Sequence, residues 1–575
     1  MKLDKKQITA YLERGLRSKT HGLSMISEQM VSMSDGVKLQ TKLYIPTPSD
    51  AFPVILIRNP YPHMNDFLDV YAHLFAQYGY AVVVQQCRGT GQSEGSWIPF
   101  VNERQDGLDT IDWIIQQPWC NGNIGTYGHS YLTAAQWAMA DAVPQQVKTM
   151  VLSGFTTERY RQNYMNGMFR HDVYTGWAID NTGWAIDNSG IATTRSSSEL
   201  FQQAITVKPH LNMDIELFGQ QLPWYREWIT NVSKLDPYWS QGFWKQLQEI
   251  PSKIKLPLLF IDGWFDQHLD GMVRDFYKLQ PETRAQSKFI IGPWGHGLTA
   301  VGDLDYPGSS RNLFKDALDW LDQYLQPSQQ LSQKTKEELL LYTIGESIWL
   351  KKSRLIASNQ STHKEFYLTN GRKLSTVIDN IRQEEVLYIY NPNYSIPSKG
   401  GAGLLRYLSG AEDAIPAGSM KQPEPNYRED VCSFISDSLE KDLKIMGNIK
   451  IHLYVSTDAE DTSFVVTVMD INENGESYNI RDGISSIVYR NDTEKKFNYT
   501  PGEIVELVIE LWPIAWTIKK GHSLRLDVQS SSFPAYHLHL NTDGPWAQQA
   551  EARIAKQSIY LGSQSPSRIQ LPVSE

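Results

Sequence analysis

The residues of this chain best suited to breaking an acyl bond stand just past short apolar runs. The first is Ser130, in the stretch Asn123-Ile-Gly-Thr-Tyr-Gly-His-Ser-Tyr-Leu-Thr-Ala-Ala-Gln-Trp137, where an apolar run passes through a glycine-flanked serine into a helix-forming segment. A serine hydroxyl is a weak nucleophile at neutral pH and needs exposure, a neighbouring base and backbone donors within reach. A tight strand-to-helix turn supplies all three. The strict Gly-x-Ser-x-Gly pattern is broken by Leu132 in place of the second glycine.

Such a serine needs an imidazole to take its proton and a carboxylate to fix the tautomer of that imidazole. In parallel-sheet hydrolases the carboxylate comes next in the chain and the histidine last. Leu258-Leu-Phe-Ile-Asp-Gly-Trp-Phe-Asp266 places Asp266 beyond one apolar run, and Ile290-Ile-Gly-Pro-Trp-Gly-His296 places His296 beyond another. Asp262, at a strand terminus, suits an Asx-turn, and Asp270 suits a helix cap near Gly271. His129 should point away from its neighbour Ser130. His537 and His539 should share one strand face, without the further ligands a metal site requires. The tetrahedral intermediate also needs donors, and the backbone N–H of Tyr131 and the phenol of Tyr61, in Arg58-Asn-Pro-Tyr61, are positioned to provide them.

These residues must be held by a sheet. Val37-Lys-Leu-Gln-Thr-Lys-Leu-Tyr44 alternates like a hairpin strand, whereas Val54-Ile-Leu-Ile57, Tyr80-Ala-Val-Val-Val-Gln85, Thr149-Met-Val-Leu-Ser153, Leu258-Leu-Phe-Ile261 and Lys288-Phe-Ile-Ile291 are continuous apolar runs. Helical stretches near 66–78 and 105–117 fall between them. This alternation predicts a mainly parallel, helix-covered sheet, with ligands beyond the carboxyl ends of its strands. Residues 157–250 read as a helical cap inserted in that domain, with six of the chain's seventeen tryptophans and the tandem heptads Thr175–Asn181 and Thr182–Asn188. From 337 strand signals dominate, as in Lys450-Ile-His-Leu-Tyr-Val455 and Ile504-Val-Glu-Leu-Val-Ile-Glu-Leu511, which predicts a jelly-roll β-sandwich. The expected organisation is an α/β-hydrolase domain from 1–156 and 251–336, the cap at 157–250, and the jelly roll at 337–575. Its 390–430 segment should be a long loop region returning toward the first domain, and the jelly roll should close the pocket opposite the cap.

At 575 residues the chain exceeds one core. A balance of 54 basic against 64 acidic residues, net charge −10, gives nothing to neutralise phosphates. Three scattered cysteines, Cys87, Cys120 and Cys432, argue against a disulfide framework or a structural zinc site. With no long apolar run, the expectation is a cytoplasmic protein without membrane or nucleic-acid partners and with no cofactor.

Ile57-Arg-Asn-Pro-Tyr61, Cys87-Arg-Gly-Thr-Gly-Gln-Ser-Glu-Gly95, Gly128-His-Ser-Tyr131, Gly263-Trp-Phe-Asp266 and Ile291-Gly-Pro-Trp-Gly-His296 together resemble the cocaine-esterase/X-prolyl dipeptidyl-peptidase (CocE/NonD) family of α/β-hydrolases. Val455-Ser-Thr-Asp-Ala459 with Asp461-Thr-Ser-Phe-Val465 is similar to that family's C-terminal signature. The resemblance implies Ser130, Asp266 and His296 as a catalytic triad, Tyr61 and Tyr131 as oxyanion hole, and a possible homodimer. Two positions depart from it: Thr133 stands where the family has glycine, and Gln86 where it often has an acidic residue.

The expected function is a serine hydrolase of small-molecule esters or amides with a compact apolar acyl group, with Phe155, Trp177, Trp184 and His268 as pocket residues. An X-Pro dipeptidyl-peptidase is the alternative; it requires a cap carboxylate, such as Asp172, Asp180 or Asp187, to hold the substrate's ammonium. A jelly-roll binding protein with an inert hydrolase domain is the alternative of another class.

Overall fold

The continuous apolar runs form the middle of one large sheet in the computed structural model, which describes residues 5–47, 51–185, 196–326, 338–355, 363–412, 414–491 and 495–574. The strands are β1 (Gly22–Ser32), β2 (Lys38–Thr47), β3 (Phe52–Asn59), β4 (Ala81–Gln86), β5 (Cys120–His129) and β6 (Val147–Ser153). A small hairpin of β7 (Tyr164–Met165) and β8 (Met168–Phe169) lies in the insertion. The large sheet continues with β9 (Leu258–Gly263), β10 (Lys288–Gly292), β11 (Glu338–Thr343) and β12 (Ile348–Lys352). Its spatial order is β1-β2-β4-β3-β5-β6-β9-β10-β11-β12.

Strands β4, β3, β5, β6, β9, β10 and β11 are parallel to their neighbours in this run. Antiparallel strands finish both edges. Every residue of β3, β4 and β9 is buried, as it must be for strands covered by helices on both faces. The covering helices include Asn65–Gln77, Glu103–Ile115, Tyr131–Met139 and Leu313–Leu325.

Residues 338–352 correct the expected organisation. Grouped on sequence with the jelly roll, they form β11 and β12 and extend the hydrolase sheet, β11 running parallel to β10 from Lys288↔Glu338 to Ile291↔Leu341. The reason is legible in Leu339-Leu-Leu-Tyr342: it is a continuous apolar run of the buried parallel kind, all four residues within the core, rather than an alternating one. The β domain's own strands begin at His363 and make an eleven-stranded sheet plus a two-stranded pair, Leu443–Gly447 with Ile514–Ile518. There the alternation holds: Val386, Tyr388 and Tyr390 are buried while Leu387 and Ile389 are exposed.

The insertion is a set of short helices around the longer helix His171–Ala185. Trp177, Trp224, Trp228, Trp239 and Trp244 are buried in it; the side chain of Trp184 lies outside the described residues, as does most of the second heptad. The β domain docks on this cap, with the amides of His171 and Asp172 donating to the carbonyls of Ala535 and Pro534. No described helix is long and apolar enough to cross a membrane.

The strand-end loops after β9 and β10 are locked together at Gly263. A Cβ there would lie 2.1 Å from the Trp294 carbonyl oxygen, and Phe265 N–H donates to that same carbonyl at 2.9 Å. Gly263→Ala should therefore force the two loops apart and destabilise the fold by about 1–3 kcal/mol, read as a lower thermal midpoint; an unchanged midpoint would show that the contact is soft.

Candidate active site

Strand β5 ends at His129, and the chain turns at once into the helix Tyr131–Met139. Ser130 makes that turn at φ 59°, ψ −124°, a conformation that non-glycine residues hold only under compulsion. Three local features impose it. Ser130 N–H donates to the Ser153 carbonyl on β6 at 2.8 Å. Gly128 leaves room for the helix, since a Cβ on it would meet Leu132 Cβ at 2.5 Å. Thr133, the departure from the family glycine, has its hydroxyl 2.8 Å from the carbonyls of both Gly128 and Ser153, and it accepts from Ser153 N–H at 2.9 Å. The threonine pins the turn to β6 with hydrogen bonds that a glycine could not make.

His296 Nε2 stands 3.0 Å from Ser130 Oγ, and His296 Nδ1 stands 2.7 Å from Asp266 Oδ2. Asp266 Oδ1 accepts from His268 N–H at 2.7 Å. Burial opposes ionisation of Asp266, yet the adjacent His296, by charge and by hydrogen bond, holds its carboxyl below the ordinary carboxylate range. An ionised carboxylate only accepts, so Nδ1 carries the ring proton and Nε2 is left to accept from the serine. Asp262 goes the other way: burial, then the negative charge of Asp266, push it well above its usual value. Its Oδ1 accepts from the next amide, Gly263 N–H, at 2.8 Å, one residue short of the Asx-turn expected of it; the bond from the amide two residues on is made by Asp266, from His268. Asp270 does not cap the following helix. Helix Leu269–Lys278 already includes it, and Asp270 pairs with Arg274 one turn on at 2.8 Å.

His129 projects toward β6, its Nδ1 3.1 Å from Ser153 Oγ; burial, then the proximity of His296, bring it down to about 3. It stays neutral and makes no bond to Ser130. His268 is likewise kept neutral by burial. Asp266, His268 and His296 each present a ligand atom within 4.8 Å of one another, and Asp266 Oδ2 and His296 Nδ1 of that group are hydrogen-bonded to each other. His537 and His539 do not share a strand, because residues 537–540 are irregular. His537 accepts from Phe169 N–H at 2.9 Å, and His539 Nε2 faces Asp461 at 3.1 Å.

Tyr61 follows β3, its loop fixed by Asn59, which accepts from Tyr61 N–H at 3.0 Å and donates to its carbonyl at 2.8 Å. The phenol oxygen accepts from Trp177 Nε1–H at 3.1 Å. Burial holds the phenol above its ordinary value, so its O–H proton remains available to a second oxygen. Tyr131 contributes its backbone N–H, one of the first four of a helix and without an intrahelical acceptor. Its side chain faces away and is clamped: its hydroxyl donates to Glu103 Oε1 at 2.9 Å and accepts from Phe100 N–H at 2.7 Å. Glu103 is in turn paired with Arg58 at 2.7 Å, both buried.

Ser130, Tyr61 and Tyr131 line one small cavity, together with Phe155, Trp177 and His268, three of the four expected pocket residues. Sequence reading missed Phe100, Arg159, Val173, Tyr174, Gln267 and Leu404, which complete the wall. Leu404 comes from the loop region of the β domain, and its N–H donates at 2.7 Å to Asp172 of the cap. The β domain thus reaches the pocket along the cap, not from the opposite side.

Residues 35–298 match the X-Pro dipeptidyl-peptidase (S15) family, and residues 328–570 match the X-Pro dipeptidyl-peptidase C-terminal non-catalytic domain. Cocaine esterase of Rhodococcus sp. (strain MB1 Bresler) is 28% identical over 96% of this chain and 98% of its own. The chain belongs to the cocaine-esterase/X-prolyl dipeptidyl-peptidase (CocE/NonD) family. It is a serine hydrolase of the α/β-hydrolase fold. The fold is shared with an aminopeptidase from a marine-sediment Thaumarchaeota archaeon, TM-score 0.80 at 21% identity over 98% of this chain and 99% of the other. An α-amino acid ester hydrolase has the same TM-score, 0.80, at 23% identity over 96% of both chains.

The Thr133 hydroxyl is what this member uses to secure its serine turn. Thr133→Val keeps the shape and removes the hydroxyl, leaving buried groups of Gly128 and Ser153 short of a partner, so the fold should lose about 1–3 kcal/mol. Denaturant titration measures it, and an unchanged midpoint would mean the turn is held by Gly128 and the Ser130 N–H alone.

Proposed function

We propose that Ser130 is the nucleophile of this hydrolase, His296 its general base and then acid, Asp266 the carboxylate that orients His296, and the Tyr61 phenol and Tyr131 N–H the oxyanion donors. The observation that carries this reading is the unbroken line from Ser130 Oγ through His296 to Asp266, at 3.0 and 2.7 Å. As Ser130 Oγ bonds to the substrate's carbonyl carbon, its proton passes to His296 Nε2, and the imidazolium is stabilised by the buried carboxylate. The carbonyl oxygen, now an oxyanion, receives the Tyr61 O–H and Tyr131 N–H, each donor worth on the order of 3 kcal/mol of barrier. His296 then protonates the departing alcohol or amine, and water, activated by the same imidazole, releases the acid.

The dipeptidyl-peptidase reading needs an acidic group to hold a free ammonium beside Ser130. Neither Asp172 nor Asp180 lines the Ser130 cavity: Asp172 turns Oδ2 to the amides of Leu404 and Leu405 at 2.7 and 3.4 Å and buries Oδ1 without a partner, and Asp180 accepts from the Ser197 hydroxyl at 2.9 Å; Asp187 lies outside the described residues. The charged side chain that does line the cavity is Arg159, which repels an ammonium. These facts favour an ester or amide hydrolase that acts on substrates without a free amine. Three free cysteines, two of them buried, fit the cytoplasmic location we propose, and a homodimer is proposed on the family likeness alone.

Ser130→Ala should lower turnover of a small aryl ester by roughly 10⁴-fold or more, with labelling by a fluorophosphonate probe abolished and the melting profile retained. Asp266→Asn should cost about 10⁴-fold in kcat by favouring the wrong imidazole tautomer. Full activity in either variant refutes the assignment. In a panel of ester, amide and X-Pro arylamide substrates, the ester or amide should lead; a dominant X-Pro arylamide would restore the peptidase reading.

A further inference from the structure

The Ser130 cavity holds a charge for which the proposed reaction has no use. Arg159 opens the short helix after β6 and is 2% exposed. Its guanidinium carbon lies 4.9, 4.3 and 4.3 Å from the ring centres of Phe100, Tyr174 and Trp228. Nη1 donates to Gln162 Oε1 at 3.1 Å, while the buried Nε and Nη2 meet no protein acceptor.

The nearby carboxylates are engaged elsewhere. Glu158 pairs with Lys278, and Asp275 accepts from Thr156 and Thr157. Of the other buried arginines, Arg58 and Arg525 have carboxylates at 2.7 Å, Glu103 and Asp527, while Arg170 and Arg481 donate to backbone carbonyls; Arg159 has neither. A guanidinium cannot shed its proton to escape burial. Taking a charge out of water costs several kcal/mol unless it is paired, and ring faces return about 2 kcal/mol for a desolvated cation. Gln267, in the same cavity wall, has both its amide Nε2 and its Oε1 buried without a protein partner, so its N–H groups are free to donate. Three buried donors of this cavity's lining residues, Arg159 Nε and Nη2 and Gln267 Nε2, are therefore left without a protein acceptor.

The anion's place on the substrate follows from the imidazole. His296 protonates the leaving group, yet His296 is not part of the cavity wall, which Ser130, Tyr61 and Tyr131 do line. The leaving group therefore departs on the His296 side, and the cavity with Arg159 receives the acyl group. As it stands the cavity is about 20 Å³, room for about one water, so the acyl chain must be short, and its entry requires side-chain shifts of the kind common on binding.

We propose that the preferred substrates are esters or amides whose acyl group ends in a carboxylate, the half-esters or half-amides of short dicarboxylic acids, with Arg159 and Gln267 holding the distal carboxylate. This rests on the Ser130 reading above. Ser130 Oγ bonds to the other carbonyl, the ester or amide bond breaks with its proton supplied by His296, and water releases the free diacid.

The test compares mono(4-nitrophenyl) glutarate with the neutral 4-nitrophenyl valerate, whose acyl chain also has five carbons, and with 4-(valeryloxy)benzoate, which carries its carboxylate on the leaving group. The full chain should favour the glutarate in kcat/KM by about tenfold or more, and Arg159→Met should reduce the glutarate-to-valerate ratio by about 30- to 100-fold, with Arg159→Lys restoring part of it. Thermal melting of Arg159→Met reports folding. Should that variant not fold, competitive inhibition of valerate turnover by free glutarate on the unmodified chain decides instead. A glutarate-to-valerate ratio near one, a ratio unmoved in folded Arg159→Met, absent glutarate inhibition, or preference for the carboxylate on the leaving group overturns the proposal. Loss of all three activities in a folded chain would indict the Ser130 reading instead, so the two failures are distinguishable.

Discussion

The site depends on one constraint, the parallel register that brings the carboxyl ends of four neighbouring strands to a common edge. His129 is level with Ser153, Ser153 with Ile261, and Gly263 with Gly292. Ser130, Asp266 and His296 then need only one to four residues of loop each to meet, although 166 residues separate the first from the last. Because a one-residue slip would turn every side chain of a strand to the other face of the sheet, the core fixes where these three side chains meet before any of them makes a contact. The strained serine, a cost of order 1–3 kcal/mol, is affordable only because β6 supplies Ser153 on one side and Thr133 ties the new helix to the same strand.

Charge inside this domain is handled in three ways. Asp266 is ionised because His296 answers it, and Asp262, close by and without such a partner, is pushed toward the neutral acid by burial and by Asp266 itself. A second pair, Arg58 with Glu103, lies beside Tyr131, where Glu103 both neutralises the arginine and takes the Tyr131 hydroxyl. Removing one partner of such a buried pair strands the other, which is why these residues act as a unit. Arg159 follows neither pattern; surrounded by ring faces, it is lowered from its ordinary value by burial. The contrast gives the cavity its chemical character.

The meeting of Ser130, Asp266 and His296 was legible in the sequence because each follows a continuous apolar run, and continuous runs identify buried parallel strands whose ends share an edge. Tyr61 was legible for the same reason, from its place after β3. The tertiary contacts were not. Residues 338–352 look like the start of the β domain because strand signals lead into it, and only the three successive leucines mark a strand covered on both faces. Asp270 looks like a cap because the helix start was placed two residues late. Arg159 sits in Thr156-Thr157-Glu158-Arg159, just past β6, and its place at a strand end was the available signal. Its significance depends on having no carboxylate partner, and pairing across a fold is invisible to local pattern.

The pocket wall was least legible because three separate parts of the chain build it. Trp177 of the cap fixes the Tyr61 phenol, while Leu404 is held in the wall by Asp172, five residues before Trp177 on the same helix. One helix thus sets both the Tyr61 phenol, the oxyanion donor we propose, and the piece of the β domain that lines the cavity. Burial brings Asp172 up to about 6, against the amides of Leu404 and Leu405, which favour its ionised form. Those amides bond best to a carboxylate, so protonation of Asp172 weakens the tie that holds Leu404 in place. The cap is therefore more than a cover: through Asp172 and Trp177 it couples the docking of the β domain to the shape of the site that the hydrolase sheet provides.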